Sequence, residues 1–275
     1  GSMSQGVVLL AQNNGIIDYI KQAEFTAKRV KDYLDLPTTL ITNKEYKGNF
    51  NFDNVITIND SADQNKKRYY DGTLHKRICN FKNSSRDDVY KLTPYDETIV
   101  LDTDYVVCNK VFLECFKMDH NFQIYKNSYP LSNWLPQYEF KFISDTGINF
   151  YWATCVFFRK NSTNEKFFNL VKHIKEHWDH YRGVFQISNT TYRNDFSFSI
   201  AIHIMNGYQD GDFAKEMPGK MYYSIDRDIL HSIKNDEVKI LLEKQGYPGQ
   251  YIFSKVKGSN IHVMNKFSLE RVINE

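Results

Sequence analysis

Within its first sixty residues the chain changes hydrophobic period, and that change limits the folds open to it. Residues 6–12, GVVLLAQ, are a short continuous apolar run, the pattern of a buried strand. After the turn signal NNG at 13–15, the residues Ile17, Ile20, Ala23, Ala27, Val30 and Leu34 recur every three or four positions. That spacing predicts an amphipathic helix, stopped by Pro37. TTLITN (38–43) and NVITIND (54–60) then read as two more strands. Parallel neighbours need a crossover, usually a helix, so this order predicts an α/β fold with a mostly parallel sheet flanked by helices.

The chain has 275 residues, 41% hydrophobic and 15% aromatic, enough for one large domain with a full core. A net charge of +2 gives no strongly basic field, so composition alone does not point to nucleic acid. The leading Gly-Ser-Met is set aside as a cloning remnant. No apolar run approaches the roughly 18 residues of a membrane span, and GVVLLA lacks the flanks of a secretory signal, so no membrane partner is expected. Cys79, Cys108, Cys115 and Cys155 show no CxxC spacing and read as free thiols of a cytoplasmic protein. Downstream, 61–83 reads as a loop and a short helix, and 83–97 as a capped helix with a turn at Pro94. The apolar run 150–160 is a strand, 164–182 a long helix and 193–207 a buried helix, followed by a tail of alternating strands and loops.

The segment ETIVLDTDYVVCN (97–109) has a strand's composition but carries Asp102 and Asp104 in its middle. Buried carboxylates are costly unless paired, hydrogen-bonded or bound to a metal. The period of two puts both side chains on one face, where a hard divalent ion would relieve their repulsion. The competing reading is an exposed strand-end aspartate beside an N-cap. In open parallel sheets, ligands bind outside the carboxyl ends of the strands, which is where this pair lies.

LTPYDETIVLDTDYVV (92–107) closely resembles the metal-site segment of GT-A-fold glycosyltransferases, especially the glycogenin-like group. The resemblance implies a single Rossmann-like, GT-A-like domain over 4–275. Its 4–107 half would bind a nucleotide sugar, a UDP-sugar first, and its 108–275 half the acceptor. It implies that Asp102 and Asp104 hold Mn²⁺ or Mg²⁺, which grips the donor diphosphate. Thr103 between them and Ala11, Gln12 and Asn13 after the first strand would meet the donor. The late segment NIHVMNK offers His262 as a third metal ligand and Lys266 for phosphate, although the group's glycines and Lys-Pro-Trp ending are absent. Arg86 stands where related enzymes place a donor-binding residue, and Lys67 and Arg68 could reach a phosphate. Asp195 opens the 193–207 helix, where a carboxylate also suits the helix dipole. By the resemblance it would face the acceptor or the transferred sugar, as general base in an inverting enzyme or as a sugar-orienting group in a retaining one.

The segments YWATCVFFRK, FFNLVKHIKEHW and RNDFSFSIAIH are also similar to glycosyltransferase-like proteins of tailed bacteriophages. That similarity implies hydroxymethylated bases of phage DNA as one acceptor, with a glycan or small molecule otherwise, and the host cytoplasm as the location. The basic, aromatic 65–91 region and the Tyr-Arg pairs at 181–182 and 192–193 could supply a local nucleic-acid surface. Two other functions stay open: a non-catalytic glycan- or DNA-binding module on the same scaffold, and a metal-dependent nucleotidyltransferase. HIKEH (173–177) matches a zinc-protease pattern, but its helix already reads as packing and the architecture is wrong for such a protease. Walker A, G-x-G-x-x-G and G-x-S-x-G signatures are absent from the sequence.

Overall fold

The computed structural model describes residues 3–13, 15–58, 67–70, 76–79, 86–132, 140–143, 147–188 and 191–275, with 67–70 and 76–79 described by backbone alone. The N-terminal reading holds. Strand β1 (Gln5–Ala11) leads into helix α1 (Tyr19–Leu34), then β2 (Thr38–Thr42) and β3 (Asn54–Thr57). Asp18 caps α1 by accepting the N–H of Lys21, and the chain leaves the helix through Asp35 in the left-handed region, two residues before Pro37. The α1 side that carries Ala23, Ala27 and Val30 is fully buried against the sheet.

Of the loop and short helix expected over 61–83, the described residues are instead two antiparallel paired strands, β4 (Lys67–Tyr70) and β5 (Lys76–Cys79), and the rest of that segment lies outside the described residues. Tyr, Ile and Cys there suit a pleated surface better than a helix. Over 83–97 the helix shrinks to a 3₁₀ turn at Arg86–Asp88 and one α turn, α2 (Val89–Leu92). Thr93 is already extended before Pro94, which disfavours helical geometry at the preceding residue.

Strand β6 (Glu97–Leu101) ends where Asp102 begins, and β7 (Tyr105–Val106) belongs to a different sheet. The expected continuous strand with both aspartates on one pleated face is therefore also corrected. After β8 (Phe122–Tyr125) and β9 (Ser128–Pro130), β10 (Trp152–Arg159) returns antiparallel to β6. The main sheet runs β3-β2-β1-β6-β10-β8, with its first four strands parallel. It is thus the mostly parallel, helix-flanked α/β sheet that the sequence predicts.

The long helix expected at 164–182 is two helices, α3 (Ser162–Glu176) and α4 (Trp178–Val184), broken at His177. Helix α5 (Asn194–Met205) is buried along most of its length and closes through Gly207 at φ 74°. Strand β11 (Met221–Ser224) precedes a three-stranded antiparallel sheet, β12 (Ile229–Lys234), β13 (Glu237–Glu243) and β14 (Tyr251–Lys257). Strand β15 (Ile261–Val263) joins a second small sheet in the order β7-β15-β11-β9. The tail then ends in helix α6 (Lys266–Ile273), which the strand-and-loop reading missed. Asn265 caps it by accepting the N–H of Ser268, a signal that the sequence carries in N-K-F-S.

Cys108, Cys115 and Cys155 are buried and free, and burial pushes the Cys108, Cys115 and Cys155 thiols above their ordinary range. The side chain of Cys79 lies outside the described residues. No helix among the described residues is long and apolar enough to cross a membrane.

Candidate functional site

The two aspartates are brought together by a turn. The N–H of Tyr105 donates to the carbonyl of Asp102 (3.2 Å), closing a tight reversal over Thr103 and Asp104. The Asp102 N–H is fixed on Thr154 of β10 (2.8 Å), and the Asp104 carbonyl accepts the N–H of Val263 (2.9 Å). Because β7 pairs antiparallel with β15, His262 stands opposite Tyr105, immediately beside Asp104. His262 Nε2 lies 3.3 Å from Asp104 Oδ2.

Asp102, Asp104 and His262 offer ligand atoms that all lie within 4.8 Å of one another. Asp104 Oδ1 and His262 Nδ1 are buried with no hydrogen-bond partner. Two carboxylates and an imidazole form an oxygen-rich donor set suited to a hard or borderline divalent ion. Orphaned buried acceptors are rare in folded proteins, so this set fits a cation. Burial raises the Asp104 pKa, but the His262 charge and hydrogen bond and the Lys266 charge outweigh it, leaving the carboxyl below its ordinary 3.8.

These residues open onto a cavity of about 800 Å³. Arg86, Lys266, Asp195 and Trp152 line it as well. Arg86 is buried and pairs with Asp102 through Nη2, while its Nε and Nη1 have no partner. Burial pushes the Arg86 guanidinium down to about 10, against the pull of Asp195 and Asp104. Lys266 Nζ sits 3.3 Å from the Tyr19 hydroxyl and 5.2 Å above its ring, tying the start of α6 to the start of α1. Asp195 lies in the first turn of α5. Its Oδ1 accepts the N–H of Ala153 (2.8 Å) and its Oδ2 accepts from Arg193 (2.7 Å), so the carboxylate is held between a strand and a cation.

Of the residues that the sequence singles out, Arg86, Asp102, Asp104, Asp195, His262 and Lys266 converge on this cavity. Ala11, Gln12, Asn13 and Thr103 are not among its described lining residues. Ala11 is buried at the end of β1. Asn13 donates to Asp18 (3.2 Å) and accepts the N–H of Ile20 (3.2 Å), stitching the entry to α1. The Thr103 hydroxyl turns to Gln22 of α1 (3.0 Å). Asn14 and the side chains of Lys67 and Arg68 lie outside the described residues. His173 bonds the Tyr181 hydroxyl (2.9 Å) beside His177, and the Asp102–Asp104–His262 group is the cluster of three or more metal-ligating side chains found among the described residues.

The structure adds Trp152, Asp226 and Asn265, which the sequence reading passed over, and Arg193, which it took only as part of a Tyr-Arg pair. Trp152 packs edge-on to His262 at 5.9 Å, and its buried Nε1 has no partner. Arg193, Asp226 and Asn265 complete the polar wall. Asn265 donates to the carbonyls of Asp226 (2.8 Å) and Asp228 (3.1 Å), which holds that wall to the cap of α6. Only the pairing of Arg193 with Asp195 had a sequence signal, in their i, i+2 spacing at a helix start.

No family model matches this chain, and no curated protein does. Among solved structures it is similar to the glycosyltransferase GlyE of Streptococcus pneumoniae TIGR4, with a TM-score of 0.42 and 12% identity over 78% of this chain. It covers 45% of the GlyE chain, less than half its length. It is also similar to the galactosyltransferase LgtC solved in complex with donor and acceptor sugar analogues, with a TM-score of 0.43 and 13% identity, over 72% of this chain and 70% of that one.

Proposed function

We propose that this chain is a metal-dependent glycosyltransferase that moves a sugar from a nucleotide-sugar donor, a UDP-sugar first, to a hydroxyl acceptor. The observation that carries this reading is the Asp102–Asp104–His262 group, with ligand atoms within 4.8 Å, opening onto the same cavity as the Arg86 and Lys266 cations. The resemblance of 92–107 to the metal-site segment of glycogenin-like enzymes supports it. Asp102, Asp104 and His262 would hold Mn²⁺ or Mg²⁺, which supplies charge neutralisation for a departing nucleoside diphosphate.

The chain's own groups do the rest. Arg86 and Lys266 bind phosphate oxygens, and the two unpartnered nitrogens of Arg86 give it donors to spare. Asp195, held by Ala153 N–H and Arg193, is fixed to accept hydroxyl protons of the transferred sugar and so orient it. In an inverting transfer the same carboxylate would serve as the base, and the anomeric configuration of the product by NMR separates the two roles. Trp152 and the apolar face of Met264 exclude water from that side. Residues 4–107 supply most of the donor side, joined by His262 and Lys266, and 108–275 the acceptor side. The acceptor reading, hydroxymethylated bases of DNA before glycans, rests on the similarity to phage proteins alone.

The test is calorimetric titration with UDP-, GDP- and CMP-sugars and with nucleoside triphosphates, with and without Mn²⁺, for the wild type and Asp104→Asn. Metal-dependent binding of one nucleotide sugar, lost in the variant and accompanied by its turnover, is expected. Binding without turnover on any acceptor would point to a non-catalytic module. Binding of triphosphates alone would replace the reading with nucleotidyl transfer.

A further inference from the structure

Away from the cavity, the described surface exposes three large apolar side chains close together: Tyr247 (60% exposed), Ile252 (53%) and Phe253 (49%). Tyr247 lies in the loop that joins β13 to β14, and Ile252 and Phe253 are the second and third residues of β14, Ile252 at the rim of a groove it shares with Leu131 and Ser132. The tip is built to hold its shape. Lys244 donates to Gln250 (2.8 Å), Gln250 donates to Tyr247 (3.0 Å), and Gly246 and Gly249 take the positive φ values that the reversal needs.

Ile252 and Phe253 are neighbours in a strand, so they point to opposite faces of the sheet. Both are exposed. A partner with a flat surface would cover one and leave the other in water. An environment that surrounds the tip on both sides covers them together.

The register behind the tip is basic. Phe253 stands opposite Leu241, forming an apolar row with Ile229. The next row places Lys239 directly opposite Lys255, and the row after it sets Lys257 and Lys234 on either side of Glu237. Like charges directly opposite each other in a sheet are unfavourable on their own. Glu237, 3.9 Å from Lys239, is the single carboxylate in those two rows. Lys244 adds a further cation at the hairpin's start. The arrangement is an apolar tip followed by a belt of flexible cations, the order of groups met on going from the acyl boundary of a bilayer outward to its headgroups.

We propose that the β13–β14 hairpin is a peripheral anchor for an anionic lipid surface, inserting Tyr247, Ile252 and Phe253 at the headgroup–acyl boundary with Lys239, Lys244, Lys255 and Lys257 on lipid phosphates. The apolar run here, Tyr251–Phe253, is far too short to read as a membrane span, and the proposal departs from the sequence expectation of no membrane partner, which was drawn from the lack of spans and of a secretory signal. The anchor is coupled to the cavity. Asp228 accepts the N–H of Glu243 at the end of β13 (3.1 Å), Arg227 pairs with Glu243 (3.3 Å), and their neighbour Asp226 lines the cavity. Docking the hairpin would therefore set where the cavity stands relative to the lipid surface.

The test is co-sedimentation of the full chain with phosphatidylcholine vesicles and with vesicles that also contain phosphatidylglycerol. Binding to the anionic vesicles that weakens with added salt is expected, each engaged lysine contributing about fivefold. The pair Ile252→Ser and Phe253→Ser should lower partitioning about tenfold or more. Both substitutions are on exposed positions, and circular dichroism checks that the fold is kept. Single variants Ile252→Trp and Phe253→Trp should each gain fluorescence that brominated lipid quenches. Failure of the wild type to sediment with anionic vesicles would overturn the proposal, as would binding indifferent to the serine pair. Quenching of only one tryptophan, or a hairpin-dependent dimer in place of lipid binding, would overturn it too. None of these readouts involves nucleotide sugar, so they stand or fall apart from the transferase reading.

Discussion

Thr103 lies between the two aspartates of the candidate metal group, yet its hydroxyl faces away from the cavity. It donates to Gln22 Oε1 at 3.0 Å in a buried setting, while Gln22 Nε2 has no partner at all. Thr103→Val keeps the shape and removes that donor. The lost hydrogen bond is worth about 1 kcal/mol, and an acceptor left buried without a partner costs about 1–3 kcal/mol. Because part of the second figure already contains the first, a net loss of about 2–3 kcal/mol is expected. For a domain of this size that is a fall of roughly 4–10 °C in Tm. Equilibrium urea unfolding gives the free energy and calorimetric titration gives nucleotide affinity. The expected pattern is reduced stability with affinity for nucleotide unchanged. Adding Gln22→Leu should recover part of the loss, since removing both partners of a buried bond costs less than removing one. A variant as stable as the wild type but weaker in nucleotide binding would refute this placement and restore Thr103 as a donor contact.

Other outcomes follow from the same geometry. Gly6→Ala would set a Cβ 2.3 Å from the ring of buried Tyr95, whose hydroxyl accepts a hydrogen bond from the Thr39 hydroxyl (2.8 Å). A loss of about 1–3 kcal/mol in urea unfolding is expected, with coupling to Tyr95→Leu in a double-mutant cycle. Arg159→Met would strand Glu97, whose Oε2 lies 2.6 Å from Arg159 Nε, at about 3 kcal/mol; Glu97→Gln in the same chain should return much of it. Asp104 has a folded pKa below its ordinary 3.8, so its contribution is fully present above that value and lost as pH falls through the lower folded one. The metal-free stability gap between the wild type and Asp104→Asn should therefore close on acidification below about pH 3.8, read as converging Tm values.

The legible parts of the fold were those in which one period ran long enough to be counted. Helix α1 has its stripe from Ile17 to Leu34, its cap at Asp18 and its stop at Pro37, all local signals. The segment 97–109 misled for the opposite reason. Ile99–Leu101 and Tyr105–Val107 are both apolar because two different sheets bury them, and two apolar runs three residues apart do not distinguish one long strand from two short ones. Asp102 and Asp104 still come together, with His262, although by a turn and not along one strand face. His262, Lys266 and Arg86 were found through the resemblance of their segments. Trp152 and Asp226 could not be found that way, because what makes them part of the site is pairing between strands and caps far apart in the chain. Helix α6 was missed because eight residues after a single cap are too few to establish a period.

The antiparallel pairing of Tyr105 with His262 joins residues that are 157 positions apart. Asp102 is held by the central sheet, whose strands lie in the first 160 residues, whereas Asp104 in the turn beyond it is bonded to Val263 of β15. Their third partner arrives only when β15 docks on β7. During synthesis, a chain could thus complete its largest sheet and bury most of its core while still unable to assemble the three-residue group. Docking of the last short strand would complete the group, and a lesion near residue 262 would leave a folded scaffold in which the three side chains never meet.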